Sequence, residues 1–251
     1  MEFLGEVVAW LTDPANWSGP GSIPVRVAEH AALSGVSLLV GLAIALPFGL
    51  RIGHTGRWAG AVVAITNVGR AVPSIGVLGI AFSITLPFIA AVGMRGIGTL
   101  PTLIALIVLA IPPIVLNAYV GIRDVDPDTV EAARGMGMSE SQVLRRVEVP
   151  IAMPVILAGV RTASVQVIAT ATLGAILSSG GLGRFIVDGF ALHDYPQMVG
   201  GALLVMALTL TSEALFSVLQ RAAVSPGLGG SSADGPDGAR GARQPATEIG
   251  L

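Results

Sequence analysis

Apolar residues in this chain do not alternate with polar ones. They run in long blocks bounded by charges. No Asp, Glu or Arg lies between Glu29 and Arg51, between Arg70 and Arg95, or between Arg95 and Arg123. The same holds from Arg161 to Arg184 and from Asp194 to Glu213. Crossing a hydrocarbon layer of about 30 Å takes roughly 20 apolar residues in a helix. The blocks therefore predict five spanning helices, near 30–50, 72–92, 98–120, 151–178 and 197–219. The fourth uses the apolar run from Pro150, which puts Arg161 inside the bilayer. The stretch 58–69 is too short to cross alone. It reads either as an interfacial helix or as the lower half of a long helix kinked near Pro73.

Composition agrees with an all-α integral membrane protein. Hydrophobic residues make up 53% of the 251, charged residues 12%, and mean hydropathy is +0.78. Soluble domains carry about a quarter charged residues, so too little polar surface is left to face water. Net charge is −2, which argues against a nucleic-acid partner, because such binding draws on dense cationic surface. Cysteine is absent, and with it disulfides and thiolate chemistry.

Orientation follows from arginines in the flanking loops. With the N-terminus outside, Arg51, Arg57, Arg123, Arg134, Arg145, Arg146, Arg221, Arg240 and Arg243 fall inside, nine against Arg26, Arg95 and Arg184 outside. Trp10, Trp17 and Trp58 are placed as interfacial anchors. Residues 1–22 form an N-terminal interfacial segment, with a short amphipathic piece over 3–11 that lacks the basic start and cleavage site of a signal peptide. Residues 23–221 form the membrane domain, and 222–251, built of Gly, Ser, Pro, Ala and Asp, read as a disordered cytoplasmic tail.

The loop 121–149 is the long polar interruption between spans. Asp126-Pro127 is an N-cap followed by proline at the first helical position, opening a helix through Glu131, Ala132, Ala133 and Arg134. Gly135 and Gly137 break it. Ser139 and Gln142 make a capping box for a second helix over 140–146, and Val149-Pro150 is expected to turn the chain into the fourth span. Ala132 and Ala133 leave room for another protein to approach, Gly137 permits a sharp turn, and Glu131 with Arg134 are placed to set register by charge.

Glu131-Ala132-Ala133, with Gly137 six residues after the glutamate and Pro150 nineteen after it, resembles the EAA loop of binding-protein-dependent ABC importer permeases. The run from Asn67 to Ser74, the Gly96-Ile97-Gly98-Thr99-Leu100-Pro101 turn and the approach from Gly121 to Pro127 resemble its osmoprotectant branch, which carries glycine betaine, proline betaine, carnitine or choline. Ser179-Gly180-Gly181-Leu182-Gly183 is shared more widely, including with methionine importer permeases. The resemblance covers roughly residues 22–220. It implies a five-helix core like that of methionine-type ABC importers, with Glu131, Ala132, Ala133, Arg134, Gly137 and Pro150 as the ATPase-coupling element. It also implies a cytoplasmic ABC ATPase dimer, an extracytoplasmic substrate-binding protein and a second permease subunit, either an identical copy or a paralogue.

Polar groups at bilayer depth are candidates for the translocation pathway. These are Asn67, Arg70 and Ser74 around Pro73, Asn117 in the third span and Gln166 in the fourth. The threonines of the fourth span bond back to their own helix in the simpler reading, and Arg70 snorkels to the interface in its own. Arg161 and Glu213 lie at similar depth, about 16 and 12 Å from the inner ends of their spans, and are expected to pair unless Glu213 reaches the interface. Few aromatics lie deep in the spans, so a quaternary-amine cage is not expected and selectivity falls mainly to the binding protein. No Walker A motif, dinucleotide loop, paired intramembrane carboxylates or clustered histidines occur. No catalytic residue, cofactor or metal of its own is expected, and ATP hydrolysis falls to a partner. The same machine for methionine or another small zwitterion is the nearest alternative. A passive channel or membrane sensor is the alternative of another class.

Overall fold

The computed structural model describes residues 2–92 and 97–223, apart from the side chains of Val68, Arg70 and Ala223. All regular structure among the described residues is helical. A short helix α1 (Glu2–Thr12) precedes α2 (Ile23–Thr55), α3 (Ala59–Ala71), α4 (Ser74–Val92) and α5 (Thr99–Arg123). The loop carries α6 (Pro127–Gly135) and α7 (Glu140–Val143). Then come α8 (Val149–Ala171), α9 (Gly183–Leu192) and α10 (Tyr195–Ala223). Five described helices are long and apolar enough to cross a membrane.

Helix α5 is the centre, packed by α2, α3, α4 and α8. The α2–α5 approach rests on small residues spaced by four along α2: Ser37, Gly41, Ala45, Gly49 and Gly53, all buried. Positions four apart share a helix face, and small ones let two backbones meet in a bilayer, where apolar burial drives nothing. A Cβ on Gly49 would stand 2.6 Å from that of Ala118, and one on Gly53 2.7 Å from that of Ile122. Gly159 of α8 fits against Asn117 and the Pro113 carbonyl in the same way.

The stretch 59–92 is one path broken at Val72-Pro73. Gly69 abuts Pro112, Ser74 lies by Leu109, and Leu78 packs with Ala105, so α3 and α4 run in succession antiparallel to α5. This agrees with the kinked-span reading of 58–69. Prolines also weaken α5 itself: Pro112 and Pro113 have no N–H, so the carbonyls of Val108 and Leu109 lose their helical donors near mid-span.

Val149-Pro150 does not turn the chain. Helix runs unbroken from Glu140 to Leu177. Its segment Leu144–Glu148 is a π-helix, in which the Val149 N–H bonds to the Leu144 carbonyl. One widened turn just before the ring of Pro150 absorbs the donor that proline lacks, so no corner is needed. The second loop helix is α-helical only to Val143, three residues short of the expected Arg146. Spans one and five are longer than their charge-free blocks, because Arg26, Glu29, Arg51 and Arg221 ride on the helix ends. Trp10 is not a free anchor: it packs on Gly200 and meets Phe185 edge-on at 5.2 Å. The tail from 224 onward and the Arg95 turn lie outside the described residues.

Candidate functional site

The loop between α5 and α8 is a built element. Asp126 Oδ1 accepts the Asp128 N–H at 2.9 Å, and Pro127 sits at the first helical position. Val130 and Ala133, three apart on α6, are buried against Ile122, Val125 and Val143. Gly137 has φ +84°, a conformation that L side chains rarely adopt, and here the chain reverses. Ser139 then caps α7, its N–H donating to Gln142 Oε1 at 2.8 Å.

This packing divides the motif. Ala133 faces the bundle and fills a tight seam, so it does not make room for a partner as the sequence reading had it. Glu131 and Ala132 face outward, as do Thr129 and Gly135. Met136, 77% exposed at the tip between two glycines, joins them. The result is an outward face with an acid, small groups and one flexible apolar side chain. Arg134 does not act beside Glu131. Its Nε and Nη2 donate to the two Glu140 carboxylate oxygens at 2.9 and 3.0 Å across the glycine turn, holding that carboxyl below the ordinary carboxylate range.

Behind Glu140 lies a contact that the sequence reading missed. His54, the penultimate residue of α2, puts Nδ1 2.6 Å from Glu148 Oε2 and Nε2 3.1 Å from Glu140 Oε2. Glu148 is buried, and its local partner by helical spacing would be Arg145. Only the placement of α2 beside the π-helix, 94 residues away in sequence, reveals the true partner.

Within the bundle, Ser74, Asn117 and Gln166 come together around an open cavity of about 610 Å³, with Thr66 and Thr162. Among the described residues its lining carries no charge, and Leu109 is part of it. Asn117 Nδ2 donates to the Pro113 carbonyl at 2.8 Å, and Thr162 to Ala158 at 3.0 Å, each within its own helix. Asn67 is exposed and does not line the cavity, because it lies on a different face of α3 from Thr66. The Arg70 side chain lies outside the described residues. The amides and hydroxyls of the described lining suit transient contact with a small polar solute.

Arg161 and Glu213 meet between α8 and α10, Nη2 of the arginine donating to Oε1 of the glutamate. Ser212 donates to Ser164 at 3.3 Å on one side, and Gln220 Nε2 donates to the Pro154 carbonyl at 3.0 Å nearer the loop. Three polar contacts thus tie down α10, whose apolar residues are mostly exposed.

Residues 38–226 match the family described as binding-protein-dependent transport system inner membrane component. The chain is 32% identical over 210 residues to the glycine betaine/carnitine/choline transport system permease protein OpuCB of Bacillus subtilis, covering 84% of this chain and 92% of that protein. It is 37% identical over 189 residues to the carnitine transport permease protein OpuCB of Listeria monocytogenes, with 75% and 82% covered. It is 35% identical over 187 residues to the osmoprotectant import permease protein OsmW of Salmonella typhimurium, with 74% and 85% covered. Among solved structures, an inward-facing form of the MetNI methionine ABC transporter superposes with a TM-score of 0.68 at 24% identity, covering 85% of this chain and all of that one.

Proposed function

This chain belongs to the family of binding-protein-dependent inner-membrane transport components, and from that premise we propose that it is the permease subunit of an ATP-driven importer of quaternary-amine osmoprotectants. Family members of this kind are transport subunits and not themselves catalytic. The substrate class is drawn from the relatives, whose names give glycine betaine, carnitine and choline. The likeness to the methionine transporter carries the fold alone. Hydrolysis of ATP then belongs to a cytoplasmic ABC ATPase dimer, delivery to an extracytoplasmic binding protein, and the full pathway to two permease subunits, identical or paralogous. The N-terminus lies outside and the loop 121–149 inside, as the arginine distribution favours.

The observation that carries the reading is the outward face of α6. The loop between α5 and α8 is an ordered polar helix–turn–helix, fixed inward by Val130 and Ala133 and free outward at Glu131, Ala132 and Met136. Docked to an ATPase, such an element converts closure of that dimer into movement of α5 and α8, to which it is directly joined. The cavity at Ser74, Asn117 and Gln166 is the passage, and it sits where proline breaks the α3/α4 path and weakens the continuous α5. Hinges at these breaks let the chamber change access.

Uptake of labelled glycine betaine, choline, carnitine and proline betaine, compared with methionine, in a strain deleted for this gene tests the proposal. Loss of one or more quaternary-amine uptakes with methionine unchanged is expected. Loss of methionine uptake alone would overturn the substrate assignment.

A further inference from the structure

The contacts of His54 form part of a longer chain of polar side chains. Arg134 at the end of α6 holds Glu140, Glu140 meets His54 Nε2, and His54 Nδ1 meets Glu148. Each ring nitrogen of His54 thus lies within hydrogen-bond reach of a different carboxyl group, so one side chain bridges Glu140 and Glu148. Side-chain exposure falls along the chain from 44% and 62% at Arg134 and Glu140 to 11% at His54 and 6% at Glu148. Its inner end is therefore shielded from water and salt, where a charged hydrogen bond is strongest, while its outer end is adjustable. The chain begins beside the outward face of the loop. It ends on two long helices, α2 through His54 and the Glu140–Leu177 helix through Glu148. Between loop and span lies the π-helical segment Leu144–Glu148, a turn with widened spacing that would otherwise absorb a push from the loop.

We propose that His54 is a positioning residue for energy coupling: by bridging Glu140 and Glu148 it locks the loop to α2 and α8 across the π-helical turn, so that displacement of α6 moves both helices together. The proposal rests on the reading of α6 as the ATPase dock. His54 itself touches neither the ATPase face nor the cavity. Without the bridge, the ATPase still docks and hydrolyses, but its stroke is lost in the π turn.

The test uses the complete transporter in proteoliposomes, with its ATPase and binding protein, and measures glycine betaine imported per ATP hydrolysed together with the ATPase retained. His54→Ala is expected to keep the ATPase and its hydrolysis while import per ATP falls by about tenfold or more, the weight of a lost charged hydrogen bond on a two-state equilibrium. Glu140→Gln, at an exposed site where folding is not at stake, should lower the ratio less. The double variant should be no worse than His54→Ala, because both act through one chain. Import at the normal ratio by both single variants, or a loss that follows ATPase dissociation, overturns the inference while wild-type import still upholds the proposed function. If His54→Ala does not insert, Glu140→Gln decides alone. Failure of the wild-type assembly to import any quaternary amine would instead refute the functional reading beneath it.

Discussion

Gly49 offers a sharp test of how the bundle is held. A methyl group at this position would lie 2.6 Å from the Ala118 Cβ and 2.9 Å from the Val115 carbonyl oxygen. Carbon atoms pack best at about 3.5–4.0 Å, so α2 must retreat from α5 by roughly 1 Å over this stretch. Neither obstacle is the end of a flexible side chain, and Ala118 is fully buried. Overpacking of this kind costs about 1–3 kcal/mol, offset in part by the roughly 1 kcal/mol that alanine gains over glycine inside a helix. Gly35, fourteen residues earlier on the same helix, has nothing within 4 Å of a built Cβ. Alanine there gains about 1 kcal/mol from reduced backbone freedom and higher helix propensity, and meets no clash. The two identical substitutions thus have opposite signs. Thermal unfolding of the purified protein in detergent reads them, at about 2–4 °C per kcal/mol for a chain of this size. Gly49→Ala should melt below wild type and several degrees below Gly35→Ala, which should melt at or above wild type. Equal melting of Gly49→Ala and wild type, or an equal loss at both sites, would refute the close α2–α5 approach through the line of small residues.

Three further outcomes follow from the site. Gly137→Val places a β-branched residue at φ +84°, at a cost of about 1–3 kcal/mol, and should abolish uptake and weaken co-purification of the ATPase without reducing membrane insertion. Arg161→Ala and Glu213→Ala should each lower the yield of monodisperse protein on size-exclusion chromatography, and the double variant should recover part of the loss; additive losses would argue against a mutually dependent pair. Asn117→Leu combined with Gln166→Leu strips both side-chain amides of the described lining from the cavity and should reduce the maximal uptake rate by about tenfold or more while ATPase assembly stays normal, as expected when polar solute contacts are replaced by apolar ones.

The spans were legible because a bilayer sets a length and forbids charges, and gaps between charges are visible in one dimension. The loop caps at Asp126 and Ser139 were legible because capping is local. Its inward face was also readable in principle: Val130 and Ala133 are three apart and mark the buried side of α6, so Ala133 belonged with the packing residues from the start. The π-helical turn was not legible. A proline after Val149 signals either a corner or a widened turn, and the choice depends on how α8 packs. The cavity was partly legible, because an amide or hydroxyl at bilayer depth is conspicuous, although the helical phase of Asn67 turns it away. Arg134 with Glu140 and His54 with Glu148 were out of reach. The first pair spans a glycine turn that breaks helical spacing, and the second joins helices whose adjacency no sequence interval encodes.

The central claim is that the outward face of α6 receives an ATPase on the inner side of the membrane. The natural chain contains no cysteine, so Met136→Cys, at a site 77% exposed on that face, gives a single addressable thiol. Leu192→Cys, at a site 75% exposed at the end of α9, gives a control on the opposite side of the proposed topology. Both are treated in native membranes with a short cysteine-to-amine cross-linker, and adducts are identified by mass. The account predicts that Met136→Cys captures the ABC ATPase and Leu192→Cys does not. Capture of the ATPase from Leu192→Cys, or its absence from Met136→Cys while the intact transporter still co-purifies, would contradict it.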